Sequence, residues 1–268
     1  MRDFFNSKPK RLWIILSGFF ITNALVAEFM GVKLFSLEKT FGFQEVNWTL
    51  LGQSNLNFTL TAGVLLWPVV FIMTDIINEY YGRKGVRVLS YLTAGLIVYG
   101  FLMLFLAMKL QPADFWRTSH IPPNLTPAQR AAALLQVGDY NAAYNAVFGQ
   151  SQWIIVGSLI AFLVGQIVDV SIFHRIKAAT GEDKIWLRST GSTLVSQLID
   201  TFVVGFIALH FGLHIPLLQV IAICIMGYIY KSLVAILMTP VIYAVHGVIE
   251  RYLGHEMAAE MKKVAAEN

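Results

Sequence analysis

Two stretches, Val164-Gly165-Gln166-Ile167-Val168-Asp169-Val170 and Val195-Ser196-Gln197-Leu198-Ile199-Asp200-Thr201, each set a glutamine three residues before an aspartate inside an apolar run. On a helix this spacing puts amide and carboxylate on one face, aimed at the same neighbour. Glu28, Asp75 and Lys231 sit in similarly apolar surroundings. A charge at mid-membrane costs roughly 3 kcal/mol, so five of them facing lipid would cost on the order of 15 kcal/mol, comparable to the whole stability of a domain. They must face one another or a cavity. A salt bridge between Asp200 and Lys231 is one reading; a polar pocket that binds a solute is the other, and four acids cannot all pair with one lysine. Neighbouring faces add Thr193, Ser196, Tyr228, Phe71, Phe162 and Phe173, while Asn23 is an interhelical hydrogen-bonder or a ligand donor. Carboxylate and amide beside aromatic rings suit a flat heterocycle that forms hydrogen bonds.

The elements that position these groups follow from composition. Of 268 residues, 56% are hydrophobic and 13% charged, against about 25% charged in a soluble domain. The surplus of apolar surface calls for a non-aqueous solvent, and its spread along the chain predicts a single polytopic domain over residues 1–268. Six runs of about 20 residues are long enough to cross a bilayer as helices: 12–32, 58–77, 86–108, 153–173, 192–211 and 216–245, the last expected to kink or end near Pro240. The expected fold is an all-α membrane protein of six transmembrane helices. Basic residues sort by side, 14 against five with Lys231 in neither class, which puts both termini in the cytoplasm. The first run is longer than a signal-peptide core and reads as a retained span. Cys224, the single cysteine, reads as a buried inert thiol.

Between spans one and two, Asn55 to Thr61 alternates polar and apolar residues, which predicts an extended or hairpin element at the surface. Between spans three and four, Thr126-Pro127 opens a capped helix ending near Gly138, lying along the interface or over the mouth of the bundle. Asn78-Glu79-Tyr80-Tyr81-Gly82 reads as a solvated helix end with a glycine stop. His174 and His246 lack metal-ligand spacing, and no P-loop, nucleophile elbow or zinc motif is found. No cofactor, metal or enzymatic activity is expected. An intramembrane enzyme with an Asp169–Asp200 dyad is disfavoured, since each acid has an amide one turn away and no water-activating motif accompanies them.

The stretch Pro68 to Gly82 (PVVFIMTDIINEYYG) resembles the signature of the queuosine-precursor transporters, the vitamin uptake transporter family. So do Gly165 to Phe173, Trp186-Leu187-Arg188, Ser192-Thr193, Ser196 to Thr201, and Lys231 after Tyr228 and Tyr230. The resemblance implies a six-helix fold similar to the substrate-binding subunits (S-components) of energy-coupling-factor vitamin importers. It also implies import, across a bacterial inner membrane, of a 7-deazaguanine such as preQ0, preQ1 or queuine for tRNA modification. One carboxylate can accept N1–H and the exocyclic amine of such a base, and an amide can donate to its carbonyl. Asp200 with Gln197, or Asp169 with Gln166, would supply that set, and Lys231 could donate to the carbonyl or neutralise the second acid. Asp75, Asn23 and Tyr228 complete the expected substrate-binding residues. Spans four and five are antiparallel and Asp200 is nearer mid-membrane, so Asp200 and Gln197 are expected to touch ligand first, with Asp169 and Gln166 as further contacts or an inner gate. The alternative is a binding subunit that needs separate ATPase partners. Expected partners are a nucleobase-like solute, the bilayer and, as an open alternative, a second copy in a homodimer; nucleic acid is not expected.

Overall fold

A computed structural model describes residues 7–149, 152–181 and 184–267. Its main helices are α1 (Lys8–Met30), α2 (Trp67–Met108), α3 (Pro127–Gln136), α4 (Tyr140–Phe148), α5 (Gln152–Thr180), α6 (Ile185–Val204), α7 (Leu217–Leu237), α8 (Thr239–Leu253) and α9 (His255–Glu267). α6 continues as a π-helical segment, Gly205–Gly212. Among the described residues five helices are long and apolar enough to cross a membrane: α1, α2, α5, α6 with its continuation, and α7. Polarity is distributed inside out. Ile15, Phe19, Val88, Leu92, Val98 and Leu102 are exposed, whereas Thr74, Asp75, Glu79, Asp169, Arg188 and Ser192 are buried. With water outside this would be unstable; with lipid outside it is the required arrangement. The chain is an all-α, multi-pass membrane protein.

α1 opens with Pro9 in its first turn and buries Leu12, Leu16, Phe20 and Ala24, a stripe at the four-residue spacing of one helix face. That face packs on Ile76, Ile77, Tyr80 and Leu89 of α2. α2 runs for 42 residues, but Gly82 interrupts it with φ 69° and ψ −174°. The two arms lie along the same helix α1: Trp13 stacks on Tyr81 with ring centroids 4.9 Å apart, while Phe29 meets Phe101 at 5.6 Å and Ala27 lies against Gly63, just before the first arm. α2 therefore folds back on itself at Gly82. The expected spans 58–77 and 86–108 are the two arms of this element, with one correction: Phe58 to Leu65 is not transmembrane helix. Thr59–Thr61 is a strand, Ala62–Leu65 a 3-10 turn, and the helix begins at Trp67 because Pro68 suits a first turn.

The outer segment holds two antiparallel pairs, Leu34–Ser36 with Thr59–Thr61 and Trp48–Leu50 with Gln53–Leu56, as the alternation at 55–61 predicts. Glu38 pins them, accepting from the Phe58 amide at 2.9 Å. α3 carries the predicted cap, a reciprocal box between Thr126 and Gln129. The run 216–245 breaks into α7 and α8 at Met238, one residue before Thr239-Pro240.

α9 was not anticipated. It returns to the Gly82 turn, where Lys262 donates to Glu250 at 2.5 Å. A Cβ on Gly82 would stand 2.7 Å from the Ala265 carbonyl oxygen. With the positive φ added, Gly82→Ala is expected to lower stability by about 2 kcal/mol, seen as a lower melting temperature in detergent; an unchanged melting point would remove the close-packed turn from the account.

Candidate functional site

α2, α6, α7 and α8, with Val64 just before α2, surround a cavity. Its walls are helical stripes. Trp67, Phe71 and Asp75 recur every four residues on α2, Thr190, Thr193 and Gln197 line one face of α6, and Tyr230 and Lys231 come from α7. Val64, Ile72, Val234, Met238 and Ile242 make the remainder apolar.

The cavity's polar side chains come from three helices, α2, α6 and α7. Ser189 donates to Asp75 Oδ2, and Asp75 Oδ1 is buried with no hydrogen-bond partner. Gln197 Nε2, on the facing helix, is likewise buried and unbonded. Lys231 Nζ donates to Asp200 Oδ2 at 2.7 Å while lining the cavity. A buried polar group left without a partner costs about 1–3 kcal/mol, and here an unbonded acceptor on α2 and an unbonded donor on α6 belong to residues that line one cavity.

Below the cavity, one turn further along α2, lies an ion cluster. Glu79 Oε1 accepts from Arg188 Nη2 at 2.8 Å and from Lys177 Nζ at 3.2 Å. Arg188 also donates to the Gly181 carbonyl at 3.1 Å and lies 5.8 Å from the Phe173 ring centroid. Glu79 is fully buried, which corrects the reading of 78–82 as a solvated helix end. The glycine stop is where it was expected, but α5 and α6 bring two cations over the acid and water is displaced. His174 bonds Asn78 Oδ1 at 2.8 Å and His246 meets the Tyr80 hydroxyl at 3.2 Å.

The remaining predicted residues divide by position. Asp75, Gln197 and Lys231 line the cavity together. Asp200 lies behind Lys231, off the lining. Gln166 accepts from Thr74 at 3.1 Å, and Asp169 Oδ1 accepts from Ser196 at 3.0 Å; both are behind the wall. Asn23 donates to the Phe19 carbonyl at 2.8 Å in its own helix, and Tyr228 donates to the Leu194 carbonyl at 3.3 Å, so neither lines the cavity. Glu28 is buried, accepting from Ser158 of α5. Sequence reasoning did not single out Trp67, Tyr230 or Thr190 of the lining, Ser189, or Arg188 as a buried ion-pair partner. The run of hydroxyls at Ser189, Thr190, Ser192, Thr193 and Ser196 in an apolar span was the available signal for a polar interior face.

A family described as "Putative vitamin uptake transporter" matches residues 61–245, which span every residue lining the cavity. A "Probable queuosine precursor transporter" of Bacillus subtilis (strain 168) is 29% identical over 190 residues, 69% of this chain and 71% of the relative. One of the same description from Haemophilus influenzae (strain ATCC 51907 / DSM 11121 / KW20 / Rd) is 26% identical over 210 residues, 77% of this chain and 74% of the relative. The "Queuosine precursor transporter" of Escherichia coli (strain K12) is 28% identical over 158 residues, 58% of each chain. No solved structure matches the chain. With well over half of its length matched, from the last residue of the strand Thr59–Thr61 to Val245 within α8, this chain belongs to the vitamin uptake transporter family.

Proposed function

We propose that this protein imports queuosine precursors, 7-deazaguanine bases such as preQ0, preQ1 or queuine, across a bacterial inner membrane for tRNA modification. The observation that carries the reading is a pair of unbonded polar atoms on residues lining the cavity, the acceptor Asp75 Oδ1 and the donor Gln197 Nε2. A guanine-type ring has two N–H donors on one edge and a carbonyl beside them. The carboxylate of Asp75 accepts the donors and the amide of Gln197 donates to the carbonyl. Trp67, Phe71 and Tyr230 supply rings at the faces of the base. Lys231 is a second donor, held by Asp200.

In this reading the chain is one domain that crosses the bilayer six times, because the two arms of α2 each cross once. The basic residues of the Gly82 turn and of both termini then share the cytoplasmic side, and the bundle corresponds to the S-component fold.

Thermal-shift titration of the purified protein with preQ0, preQ1, queuine and guanine, followed by uptake in proteoliposomes, tests this. Stabilisation by the deazaguanines with uptake by the protein alone is expected. Binding without uptake would favour a subunit that depends on separate ATPase partners, and no stabilisation by any base would overturn the assignment of substrate.

A further inference from the structure

Asp169 is completely buried, and among the described residues no lysine, arginine or histidine forms a salt bridge with it. Ser196 donates to Oδ1 at 3.0 Å, and Oδ2 has no hydrogen-bond partner. Glu28 is likewise without a salt bridge among the described residues and accepts from Ser158, but three other deep acids are provided for differently. Asp200 has Lys231 and Glu79 has Arg188 and Lys177, while Asp75 opens on the cavity, where a ligand can meet it. Asp169 faces no ligand and holds no cation.

Its connections run to both polar groups of the cavity. Its donor Ser196 is next in the chain to Gln197. Gln166, one turn earlier on α5, accepts from Thr74, the residue next to Asp75. A second hollow lies between α5 and the second arm of α2; Gln166, Ile167 and Val170 line it, and Arg83 and Arg87 contribute to its wall. That hollow reaches the turn of α5 that carries Asp169, so the acid stands between a ligand cavity and a separate pocket. Of the charged groups, Asp75 on α2 interacts with it electrostatically, and Glu79 and Arg188 act in turn on Asp75; His174 and Lys177 follow it along α5.

We propose that Asp169 is the site of a co-transported proton, so that the importer is a proton symporter. This rests on the import reading above. A proton from the outer water converts the carboxylate to the neutral acid, which removes the uncompensated charge. The proton leaves by the second hollow to the cytoplasmic water and regenerates the carboxylate. Only an O–H bond forms and breaks, no electron is transferred, and each cycle moves one positive charge inward in addition to any charge on the base. Through Ser196, the neutral and charged forms present different hydrogen-bonding states to the residue flanking Gln197, and the charged form acts electrostatically on Asp75.

Proteoliposomes containing a trapped pH dye test it with labelled 7-deazaguanine. With the outside acidic and the potential clamped, accumulation is expected to rise about tenfold for each pH unit of gradient, with matching acidification inside. Asp169→Asn should still bind and exchange labelled base but lose both responses. Asp169→Glu, which keeps the acid, should retain coupling with a displaced pH profile. Wild-type uptake that ignores the pH gradient, or follows a sodium gradient instead, overturns the proposal, as does full coupling in Asp169→Asn or an unmoved profile in Asp169→Glu. Failure of the import reading looks different: wild type would then neither bind nor exchange the base in the absence of any gradient.

Discussion

Asparagine in place of Asp75 is expected to weaken binding of a 7-deazaguanine by about 100-fold or more. A hydrogen bond to a charged group contributes about 1.5–3 kcal/mol, and the carboxylate of Asp75 accepts two N–H groups of the base in the proposed pose. The amide that replaces it turns an N–H toward those donors or leaves one unmet. Unpaired polar groups of this kind let a site reject a ligand by large factors, where the loss of a methylene does not. The fold should tolerate the change, since Asp75 bonds only Ser189 and has no salt bridge among the described residues. Isothermal titration with preQ0, with melting temperature as the check on folding, measures it. Binding within a few-fold of wild type would remove Asp75 from the site. Asp200→Asn should act more mildly, because that acid meets the cavity only through Lys231.

The second large effect is on stability. Arg188→Met leaves Glu79 with Lys177 as its salt-bridge partner, at 3.2 Å, in a place where both Glu79 and Arg188 side chains are wholly inaccessible. Removing one member of a buried pair costs about 3–5 kcal/mol, because the remaining charge is stranded. Against a total of about 5–15 kcal/mol, that should be enough to reduce folded yield in detergent sharply. The double variant Glu79→Leu with Arg188→Met should regain much of the loss, since two apolar side chains leave no stranded Glu79 charge. A double-mutant cycle on melting temperature reads the coupling. A single variant as stable as wild type would show that Glu79 is solvated in practice and that the inner cluster holds nothing together.

Much of the architecture is legible in the sequence because the bilayer constrains it so strongly. A run of about 20 apolar residues has few options in lipid other than a helix, so the crossings at 12–32, 86–108 and 153–173 overlap α1, the second arm of α2 and α5. The turn chemistry is equally local: Thr126 with Gln129 caps α3, and Pro240 marks the change from α7 to α8. The start of the second span was misplaced because Phe58 to Leu66 is as apolar as the helix after it. Its strand is fixed by a partner at Leu34–Ser36 more than twenty residues away, which hydropathy does not register. Arg188 stands among the 14 basic residues that the sequence sorts to the cytoplasmic side for a related reason. Charge alone does not distinguish a lysine in water from an arginine sealed against Glu79.

The candidate site shows the same division. Composition, spacing and motif by themselves determined that this is a membrane protein of its family, and that a small set of acids, amides and one lysine must face inward. Which of them share a cavity was decided by the rotation of each helix about its axis. Gln197 and Asp200 stand three residues apart, which leaves them about 60° apart around α6. Packing of α6 on α5 resolves that angle: a Cβ on Gly165 would lie 3.6 Å from Asp200 Cβ, so the small residue admits Asp200 toward α5 and leaves Gln197 on the cavity side. The carboxylate opposite Gln197 then comes from Asp75 on α2, and Asp169 is turned behind the wall with Ser196. Sequence spacing reports which residues share a helix face, but the direction of that face depends on contacts between helices far apart in the chain, and only the packed bundle contains them.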